Sequence, residues 1–579
     1  MRKSPATSGG LMNILGLHKG HDSSAALIVD GEIVADVAEE RFSRIKHHAG
    51  LPFRAVGYCL EAGGLTMEDI DVIAIASRFT VPEYNILFDI DSTDERFQAP
   101  SWRRKIRMGI ESFAGAGEER LPIYFKRYPL GKKTRIVHID HHLSHAAAAY
   151  FTSGSSEKQV IVSADGLGDG YSAVIFRGEH GKLERIHEMD QTASIGWFYS
   201  NITEALGWWH GDGEGKTMGL APYGNPKPAY KDLEPFYPKF SNGALVEAHD
   251  FGKSASFSDS GAIHFHFDEA VEIKKLLSKH SREDLAAACQ QILEEQVMNI
   301  AYPWMEKEKT RNLTCSGGVF MNVKLNQRIW ESGKVDKHWI YPNAGDSGLA
   351  VGAALQVYHD ANPSAPIGKL EHLYHGPEYG DAEIEAMLKA RHLSYKRVEN
   401  PSATAAELLA KDRIVSWFQG RMESGPRALG NRSILMSANK AENKDIINAQ
   451  VKFREGFRPF CPSLLWEKKA DYLEKERDEF FMITSFTCTE AKRSKVPAVV
   501  HADGTLRPQT VKSDFNPKFH ALISEFGRLT GEYMILNTSF NVMGEPVVMH
   551  PREAVRCFYD GGIDAMLLGS FLLEKPVAR

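Results

Sequence analysis

Close cysteine pairs, long apolar runs and concentrated basic charge are all missing from this 579-residue sequence. Its six cysteines lie far apart along the chain, which argues against a zinc knuckle and against a disulfide framework. No run reaches the ~18 apolar residues that a membrane-spanning helix requires, and the leader before Met12 lacks the apolar stretch of a secretory signal. The sequence therefore predicts a cytoplasmic protein with a disordered leader and no membrane partner.

A nucleic-acid partner is not expected either. The net charge is -6, whereas binding to a phosphate backbone needs a concentrated basic face. The densest basic stretch, residues 103–133, also contains acidic side chains and is therefore interpreted as a solvated surface. At about 150 residues per domain, the chain should hold about three or four compact units.

The first half contains an internal repeat, in residues 14–37 and 160–186. Each copy reads as a strand, a loop of glycine, aspartate and small polar residues, a second strand, a glycine-containing turn and a third strand. The pair Asp30-Gly31 between alternating apolar residues is a strong hairpin signal. Glycine-rich loops let backbone N–H groups approach phosphate oxygens, so two facing copies would hold a polyphosphate from both sides.

A third segment, residues 313–333, predicts a short strand, a turn at Gly317-Gly318 and a helix. The paired glycines would let the backbone pass close to a flat ring or a ribose, and Asn322 could supply a polar contact. This combination resembles the ASKHA superfamily, which includes acetate and sugar kinases, chaperone ATPases and actin. The resemblance implies a duplicated mixed sheet flanked by helices, with a nucleotide in the cleft between the halves.

Four histidines occur in IVHIDHHLSHAAAAYF, residues 136–151. The alanine-rich continuation favours a helix, on which His141 and His145 share one face and can bind a divalent metal. From this segment alone, metal binding and a capped or solvated helix end are equal alternatives. His138 and His142 would point elsewhere, as structural residues.

Two aspartates could complete a metal site. Asp165 and Asp346 are both expected in glycine-containing loops after apolar strands, where a carboxylate can project into a cleft. Two histidines and two aspartates suit Fe(II), Mn(II) or Zn(II). The alternative for each aspartate is an ordinary turn-forming role, which is common before glycine.

Arginines gather in the second half, beyond a proline-containing stretch at 359–371 that is interpreted as a linker. A predicted strand at 414–419 leads into the loop GRMESGPRALGNRSIL, and further basic and amide side chains follow in VKFREGFRPFCPSLL, TLRPQTV and ILNTSFNVMGEPV. Guanidinium groups match phosphate geometry with two hydrogen bonds, so converging cations could hold two anionic substrates. The alternative is ordinary surface arginine. The polar residues concerned are Arg421, Arg427, Arg432, Lys452, Arg454, Arg458, Arg507, Asn537, Thr538, Ser539 and Asn541.

The order of motifs resembles one family. ILGLHKGHDSSAAL, EERFSRIKH, DHHLSHAAAA, SADG, EGKTMGLAPYG, CSGGVFMNVKLN and NAGDSGLAVGAA look like motifs of the O-carbamoyltransferases of antibiotic and nodulation-factor biosynthesis. GRMESGPRALGNRSI, KFREGFRPF and LNTSFNVMGEP look like their carboxy-terminal module, which resembles the YrdC fold. The resemblance implies an α/β protein with a duplicated ASKHA-type (actin-like) half at 13–358, the linker 359–371 and a YrdC-like α/β domain at 372–579.

The same resemblance assigns roles to single residues. It implies an iron(II) site formed by His141, His145, Asp165 and Asp346, with His21 beside the acceptor hydroxyl. The positions implied to contact the nucleotide or the carbamoyl adenylate are Lys46, Asp165, Gly196, Gly317, Gly318 and Asn322. Those implied to bind carbamoyl phosphate and ATP are Arg427, Ala428, Lys452, Arg458, Arg507, Asn537 and Ser539, among which Arg427, Lys452 and Arg507 would be catalytic together with His21.

The implied activity has two steps. Carbamoyl phosphate and ATP, with Mg(II), would give carbamoyl adenylate in the second half, and the carbamoyl group would then pass to a hydroxylated small molecule at the metal site. A homodimer is left open. A tRNA threonylcarbamoyl enzyme is disfavoured by the missing basic face, and a sugar or acetate kinase would leave the arginine-rich module without a purpose. A nucleotide-gated chaperone would need a peptide-binding domain that the sequence lacks. The segment 83–133 matches no motif and could recognise the acceptor.

Overall fold

A computed structural model describes residues 12–78, 88–89, 128–257 and 263–575. The predicted leader before Met12 and most of the unassigned segment 83–133 lie outside the described residues. No helix within the described ranges combines the length and apolar character needed to cross a membrane.

The first sheet has five strands. An antiparallel meander is formed by β1 (Asn13–His18), β2 (Ser24–Val29) and β3 (Glu32–Ala38). On the other side of β1, β4 (Val72–Ala76) and β5 (Arg135–Ile139) add in parallel. The strand order is therefore β3-β2-β1-β4-β5.

The second sheet repeats this arrangement. Its meander is β6 (Gln159–Gly168), β7 (Tyr171–Glu179) and β8 (Lys182–Asp190), and β9 (Asn312–Ser316) and β10 (Lys337–Ile340) extend it in parallel. The order β8-β7-β6-β9-β10 is that of the first sheet.

Corresponding hairpin turns also agree. Asp30 and Gly31 have φ values of 50° and 87°, and His180 and Gly181 have values of 49° and 79°. Positive φ at both central residues is the geometry of a type I′ turn, whose twist matches that of the flanking strands. The predicted duplication is thus present in strand order and in turn conformation.

Two helices lie between the sheets. The helices of the first half are α1 (Phe53–Gly63), α2 (His141–Tyr150), α3 (Ile195–Ala205), α4 (Glu214–Leu220), α5 (Arg282–Glu308), α6 (Val323–Glu331) and α7 (Leu349–Ala361). α7 packs against the first sheet, α2 packs against the second, and the two helices contact each other. A Cβ at Gly352 would lie 1.8 Å from the carbonyl oxygen of Ser144, so this close approach requires glycine.

The second half is built on one mixed sheet. Its strands are β11 (Lys396–Arg397), β12 (Val415–Phe418), β13 (Arg432–Ser437), β14 (Cys461–Leu465), β15 (Gln509–Val511), β16 (Met534–Ser539), β17 (Ala565–Leu568) and β18 (Phe571–Glu574), in the order β11-β18-β17-β12-β13-β16-β14-β15. Separate apolar cores cover its two faces. The helices packed there are α8 (Asp381–Ala390), α9 (Pro401–Leu409), α10 (Pro517–Thr530) and α11 (Pro551–Asp560).

Shorter elements complete the described chain. Short helices span Glu40–Ser43, Pro226–Tyr230, Ala270–Lys275, Glu442–Ile447, Lys469–Tyr472 and Glu490–Arg493. Two-stranded ribbons pair Phe88–Asp89 with Tyr128–Pro129, Lys239–Ser241 with Ala244–Glu247, Lys253–Phe257 with Ile263–Phe267, and Phe486–Thr487 with Thr505–Leu506. Single turns that matter below are Gly318–Met321, Asp346–Gly348 and Asn448–Lys452.

The two halves are in direct contact. Arg44 donates to the carbonyl oxygen of Val547 at 2.8 Å, and Asn326 donates to that of Ile483 at 2.7 Å. Helix α7 ends at Ala361, so it runs into the first residues of the predicted linker. The fold is the predicted α/β class: the first half carries the predicted duplication, with two sheets of the same strand order, and the second half is an α/β unit built on one mixed sheet.

Candidate active site

Two histidines and two aspartates meet between the two sheets of the first half. Nitrogen and oxygen atoms of His141, His145, Asp165 and Asp346 all lie within 4.8 Å of one another. His145 Nε2 is 3.1 Å from Asp165 Oδ2 and 3.6 Å from Asp346 Oδ1. His141 Nε2 is 3.9 and 3.8 Å from the same two oxygens. The structure therefore brings together the four side chains that the sequence pointed to; they are called the four-residue cluster below.

Helix α2 places the two histidines one turn apart. The carboxylate of Asp140 caps its first turn by accepting from the Leu143 N–H at 2.9 Å, and Asp140 is held in turn by Arg185 at 2.6 Å. His145 Nδ1 lies 3.4 Å from Ser316 Oγ. With Nδ1 facing Ser316, Nε2 is the nitrogen that faces the carboxylates, and it could ligate a cation there on releasing its proton.

Asp165 does not lie in a loop, contrary to the sequence-based expectation. It belongs to β6, at a bulge where the pairing with β7 shifts between Ala164 and Gly168. The bulge leaves Asp165 off the regular ladder. Its two oxygens accept from the N–H groups of Gly166, at 2.7 Å, and Gly318, at 3.1 Å. Asp346 lies, as expected, in a turn between β10 and α7.

The four-residue cluster suits a divalent cation. His141 Nε2 is buried and has no hydrogen-bond partner among the described residues, although a buried polar atom normally has one. Burial opposes ionisation of Asp165, but the nearby imidazoles of His141 and His145 hold its pKa well below the usual range. Burial also favours a neutral His145, yet contacts with Asp165 and Asp346 outweigh it and raise its pKa to about 9. A nitrogen and oxygen donor set with a negative charge excess fits Fe(II), Mn(II) or Zn(II).

Two further histidines adjoin Asp346. His18 Nε2 and His21 Nε2 lie 3.6 and 3.4 Å from Asp346 Oδ2. The charge of Asp346, followed by a hydrogen bond with Asp22, raises the pKa of His21 to about 10. Burial lowers the pKa of His18 to about 4.

A chain of charged groups leads away from His21 along the cleft wall. Asp22 Oδ1 is 2.8 Å from His47 Nδ1, and Asp212 forms an ion pair with Lys46. His47 Nε2 is 3.7 Å from Asp212 Oδ1. Lys46 had been singled out in the sequence, whereas Asp22, His47 and Asp212 had not. Asp22 and Asp212 lie close to glycines, and His47 follows Lys46 directly, which is the only signal that the sequence offers for them.

The predicted glycines pack around Asp165. Gly317 has a φ of 98°, and a Cβ there would lie 2.1 Å from the Ala164 carbonyl oxygen. A Cβ at Gly196 would lie 2.8 Å from the Asp165 carbonyl oxygen. Any larger residue would therefore push the backbone away from the four-residue cluster.

Asn322 has a local partner. Its carboxamide oxygen caps α6 through the Leu325 N–H at 3.0 Å, and its amide nitrogen donates to Gln290 Oε1 at 2.9 Å. Asn322 still lines the cleft, beside Gly196 and Gly318. In this structure it is a helix cap as well as a candidate ligand contact.

Lys452 is a buried cation at the cleft in the second half. It ends the turn Asn448–Lys452 and is 5% exposed. Its ammonium donates to the backbone oxygen of Ser539, and to the backbone and side-chain oxygens of Asn541 at 3.0 and 2.8 Å. Burial, followed by repulsion from Arg454, lowers its pKa to about 7.

Four guanidinium groups surround this region. Burial and then Arg507 lower the pKa of Arg427 to about 9, and burial and then Arg458 lower that of Arg454 to about 9. Arg507 Nε donates to Cys461 Sγ at 2.8 Å. The carboxylate nearest to Arg458 is that of Glu455, at 4.0 Å. A half-buried site with this excess of positive charge suits phosphate and carboxylate ligands.

The remaining predicted residues form the floor of this region. Asn537 Nδ2 donates to the Ala428 carbonyl oxygen at 3.2 Å and to Ser463 Oγ at 2.9 Å. Asn537 Oδ1 is buried without a hydrogen-bond partner among the described residues. Ser539 Oγ donates to Asn541 Oδ1 at 2.7 Å.

Two arginines of the predicted loop do not line the cleft, and one of them, Arg432, is the first residue of β13, so their interpretation as phosphate contacts is wrong. Arg421 donates to the Val34 and His375 carbonyl oxygens, both at 2.8 Å, and so joins the two halves. Arg432 is fully buried, and its guanidinium carbon lies 3.7 Å from the Phe418 ring centroid. Their guanidinium groups donate hydrogen bonds to main-chain carbonyl oxygens.

Arg432→Met is expected to destabilise the fold. The change would remove the donors to the carbonyl oxygens of Gln419, Gly420, Asn431 and Pro377. Buried carbonyls left without donors should cost about 3 kcal/mol or more. The melting temperature should fall by several degrees in a thermal unfolding scan. The control Arg413→Met removes an ion pair with Asp564 at 3.5 Å, worth about 1 kcal/mol or less. Equal melting of Arg432→Met and the unchanged protein would contradict this role.

One cleft of about 1510 Å³ joins both sites. From the first half it is lined by His21, Asp22, Lys46, Asp165, Gly196, Gly318, Asn322 and Asp346. From the second half it is lined by Arg427, Ala428, Lys452, Arg454, Arg458, Arg507, Asn537 and Ser539. The cation-rich region and the two carboxylates of the four-residue cluster, Asp165 and Asp346, therefore line a single space.

Two family descriptions match the chain. "Carbamoyltransferase N-terminus" matches residues 13–355, and "Carbamoyltransferase C-terminus" matches residues 406–575. The nodulation protein NolNO of Sinorhizobium fredii is 36% identical over 567 residues, covering 96% of this chain and 79% of that protein. Nodulation protein U of the same species is 26% identical over 584 residues, covering 98% and 100%.

Further similarities were found outside the nodulation proteins. An uncharacterized protein of Synechocystis sp. is 34% identical over 617 residues, covering 96% of this chain and 95% of that protein. Among solved structures, component A of (R)-2-hydroxyglutaryl-CoA dehydratase from Acidaminococcus fermentans overlaps 61% of this chain and 99% of its own at 15% identity. The TM-score of this overlap is 0.33, which is too low to support an inference about function.

The duplicated first half and the α/β second half correspond to the two family descriptions, in the same order along the chain. The chain belongs to the carbamoyltransferase family. Its enzyme class is therefore carbamoyltransferase, as the order of motifs had predicted.

Proposed function

We propose that this chain is an ATP-dependent O-carbamoyltransferase that makes carbamoyl adenylate among the arginines and transfers the carbamoyl group to a hydroxyl of a small-molecule natural product beside the four-residue cluster. The observation that carries the proposal is the single cleft lined by both sets of residues. A reactive intermediate made at one end could reach the other without crossing bulk water. That matters because an acyl adenylate is open to hydrolysis.

The first step would take place in the second half. Carbamoyl phosphate is cleaved by water to carbamate and inorganic phosphate. A carbamate oxygen then attacks the α-phosphorus of ATP and expels pyrophosphate, which leaves carbamoyl adenylate. Arg427, Lys452 and Arg507 would neutralise the charge that develops on the phosphates, with Mg(II) accompanying ATP.

The second step would take place in the first half. The acceptor oxygen attacks the carbamoyl carbon, the bond to the AMP oxygen breaks, and AMP leaves. His21 is the candidate to take the hydroxyl proton, because its ring lines the cleft next to Asp346. The charge of Asp346 raises the pKa of His21 to about 10, so this role requires that a cation held by Asp346 offset that charge and leave the imidazole neutral. A divalent cation, for which Fe(II) is the expectation, would be held by His141, His145, Asp165 and Asp346 and would supply Lewis-acid polarisation when bound.

Aromatic side chains beside the four-residue cluster are suited to hold the acceptor. Trp197 lies next to Gly166, where a Cβ would be 2.8 Å from its indole nitrogen. Phe267 continues this wall at 6.4 Å from Trp197, and Leu167 is exposed to the cleft. Apolar walls with a few polar groups are typical of small-molecule sites.

Product analysis tests the proposal. Purified protein would be incubated with carbamoyl phosphate, ATP, Mg(II) and candidate alcohols. Pyrophosphate and AMP should form, carbamoyl adenylate should be trapped without acceptor, and an acceptor should gain the mass of a carbamoyl group. Release of ADP in place of AMP would instead favour kinase chemistry in the ASKHA-type half.

The pH dependence of the first step should follow Lys452. Its pKa of about 7 lies below the usual lysine value, so the charged fraction falls as the pH rises through 7. We therefore expect kcat/KM for carbamoyl phosphate, measured by ATP–pyrophosphate exchange, to decline above about pH 7. Lys452→Arg keeps its charge over this range and should lose that decline. The same decline in both proteins would assign the titration to another group.

A further inference from the structure

His18 occupies a buried position between two parts of the first-half site. It is the last residue of β1 and is 5% exposed. Its Nε2 atom lies 3.3 Å from the His21 carbonyl oxygen and 3.6 Å from Asp346 Oδ2. One imidazole nitrogen therefore faces both the backbone of the candidate proton acceptor and a carboxylate of the four-residue cluster.

The two oxygens of Asp346 face different neighbours. Oδ1 faces His141 and His145, at 3.8 and 3.6 Å. Oδ2 faces His18 and His21, at 3.6 and 3.4 Å. The carboxylate thus presents one oxygen to the interior of the four-residue cluster and the other to a pair of imidazoles outside it.

We propose that His18 is a positioning residue that fixes Asp346 for cation binding and holds the His21 backbone beside it. A ligand carboxylate that is free to rotate loses conformational entropy on binding a cation, whereas a fixed imidazole 3.6 Å from its outer oxygen limits that rotation beforehand and so prepays part of the cost. Groups of this kind, which touch the ligands rather than the metal, typically change metal affinity by 10–100-fold. The role of His18 depends on the proposed cation site, so its test must also show whether that site exists.

The backbone around Gly20 makes the contact possible. Gly20 has a φ of 153°, and a Cβ there would lie 3.1 Å from His18 Nε2. Gly20 also pairs with Gly50 in an isolated bridge. The turn brings the His21 carbonyl back to the ring three residues earlier, in a conformation that favours glycine.

Two substitutions separate the polar contacts of His18 Nε2, with the His21 carbonyl oxygen and Asp346 Oδ2, from the bulk of the ring. His18→Leu fills the space without a donor. His18→Gln places an amide N–H near the position of Nε2. Dissociation constants for Fe(II), Mn(II) and Zn(II), measured without oxygen by competition with a chelator, should rise about 10–100-fold in His18→Leu. In His18→Gln they should stay within a few-fold of the unchanged protein.

Two further proteins complete the experiment. His359→Leu removes an equally buried histidine whose ring stacks on Phe151 at 3.8 Å, and it should bind cations as the unchanged protein does. His18→Asn carries an amide too short to reach Asp346, so it should also bind the cations more weakly. If His18→Leu does not fold, His18→Asn takes its place in the comparison. Circular dichroism checks folding throughout.

The outcomes are distinct. If the unchanged protein binds none of the three cations, the cation site of the proposed function is wrong. If it binds them and His18→Leu and His18→Asn bind equally well, the cation site stands and the positioning role of His18 is overturned. Weak binding in both, with recovery in His18→Gln, supports the proposal, because recovery by a donor is not expected from a general packing defect.

Discussion

Lys452→Ala is expected to abolish ATP–pyrophosphate exchange that depends on carbamoyl phosphate. The residue supplies a positive charge at the end of the cleft that four arginines line. Removing one group that stabilises developing phosphate charge typically lowers the rate by on the order of 10³-fold. The exchange would be followed with labelled pyrophosphate in the presence and absence of carbamoyl phosphate.

The control for this variant is a lysine of the same half outside the cleft. Lys440 pairs with Asp412 at 2.6 Å on the surface, and Lys440→Ala should leave exchange unchanged. Because the Lys452 ammonium also binds the loop at Ser539 and Asn541, Lys452→Arg tests whether charge alone restores exchange. Exchange at the full rate in Lys452→Ala would place adenylate formation elsewhere.

Local patterns were enough to predict the repeated sheets. Hairpin turns such as Asp30-Gly31 and the alternation around them are set by neighbouring residues, so each copy can be read without the rest of the chain. The helix that carries His141 and His145 is equally local, because their spacing of four fixes a shared face.

The assembly of the four-residue cluster is not local. Asp346 follows β10 far along the chain, and it meets His145 only because α2 and α7 pack closely through residues such as Gly352. Spacing within the sequence cannot show such a contact, and here the resemblance to a family supplied it. The bulge that holds Asp165 in β6 was missed because the residues SADGLG, with their two glycines and an aspartate, are equally typical of a loop.

Arginines show the opposite limitation. Arg427 and Arg432 lie in one glycine-rich loop, and their residue type predicts phosphate binding for both. Arg427 lines the cleft, whereas Arg432 is turned inward onto main-chain carbonyls. Which way a guanidinium points depends on carbonyl groups from distant segments, including Pro377. Composition therefore indicated the site, and the tertiary structure decides which members belong to it.

His141→Ala is expected to abolish carbamoyl transfer while sparing the exchange reaction. Its Nε2 atom is buried among the four-residue cluster without a hydrogen-bond partner in the described parts of the chain, so its removal takes away one ligand and little else. Lewis-acid stabilisation is worth several kcal/mol, which corresponds to a loss on the order of 10³-fold in transfer. Metal content should fall together with transfer, and carbamoyl adenylate should accumulate.

The control for this variant is His138→Ala, which removes a neighbouring histidine that contacts the Ser77 carbonyl oxygen at 3.1 Å and leaves the four-residue cluster intact. It should retain both reactions. The comparison with Lys452→Ala then divides the enzyme into two steps, since each variant should stop at a different one. Two successive reactions would explain why both sets of residues line one cleft, whereas a reaction completed at one end would leave the residues at the other end without a role. If His141→Ala and Lys452→Ala fail at the same step, the two ends do not act in succession.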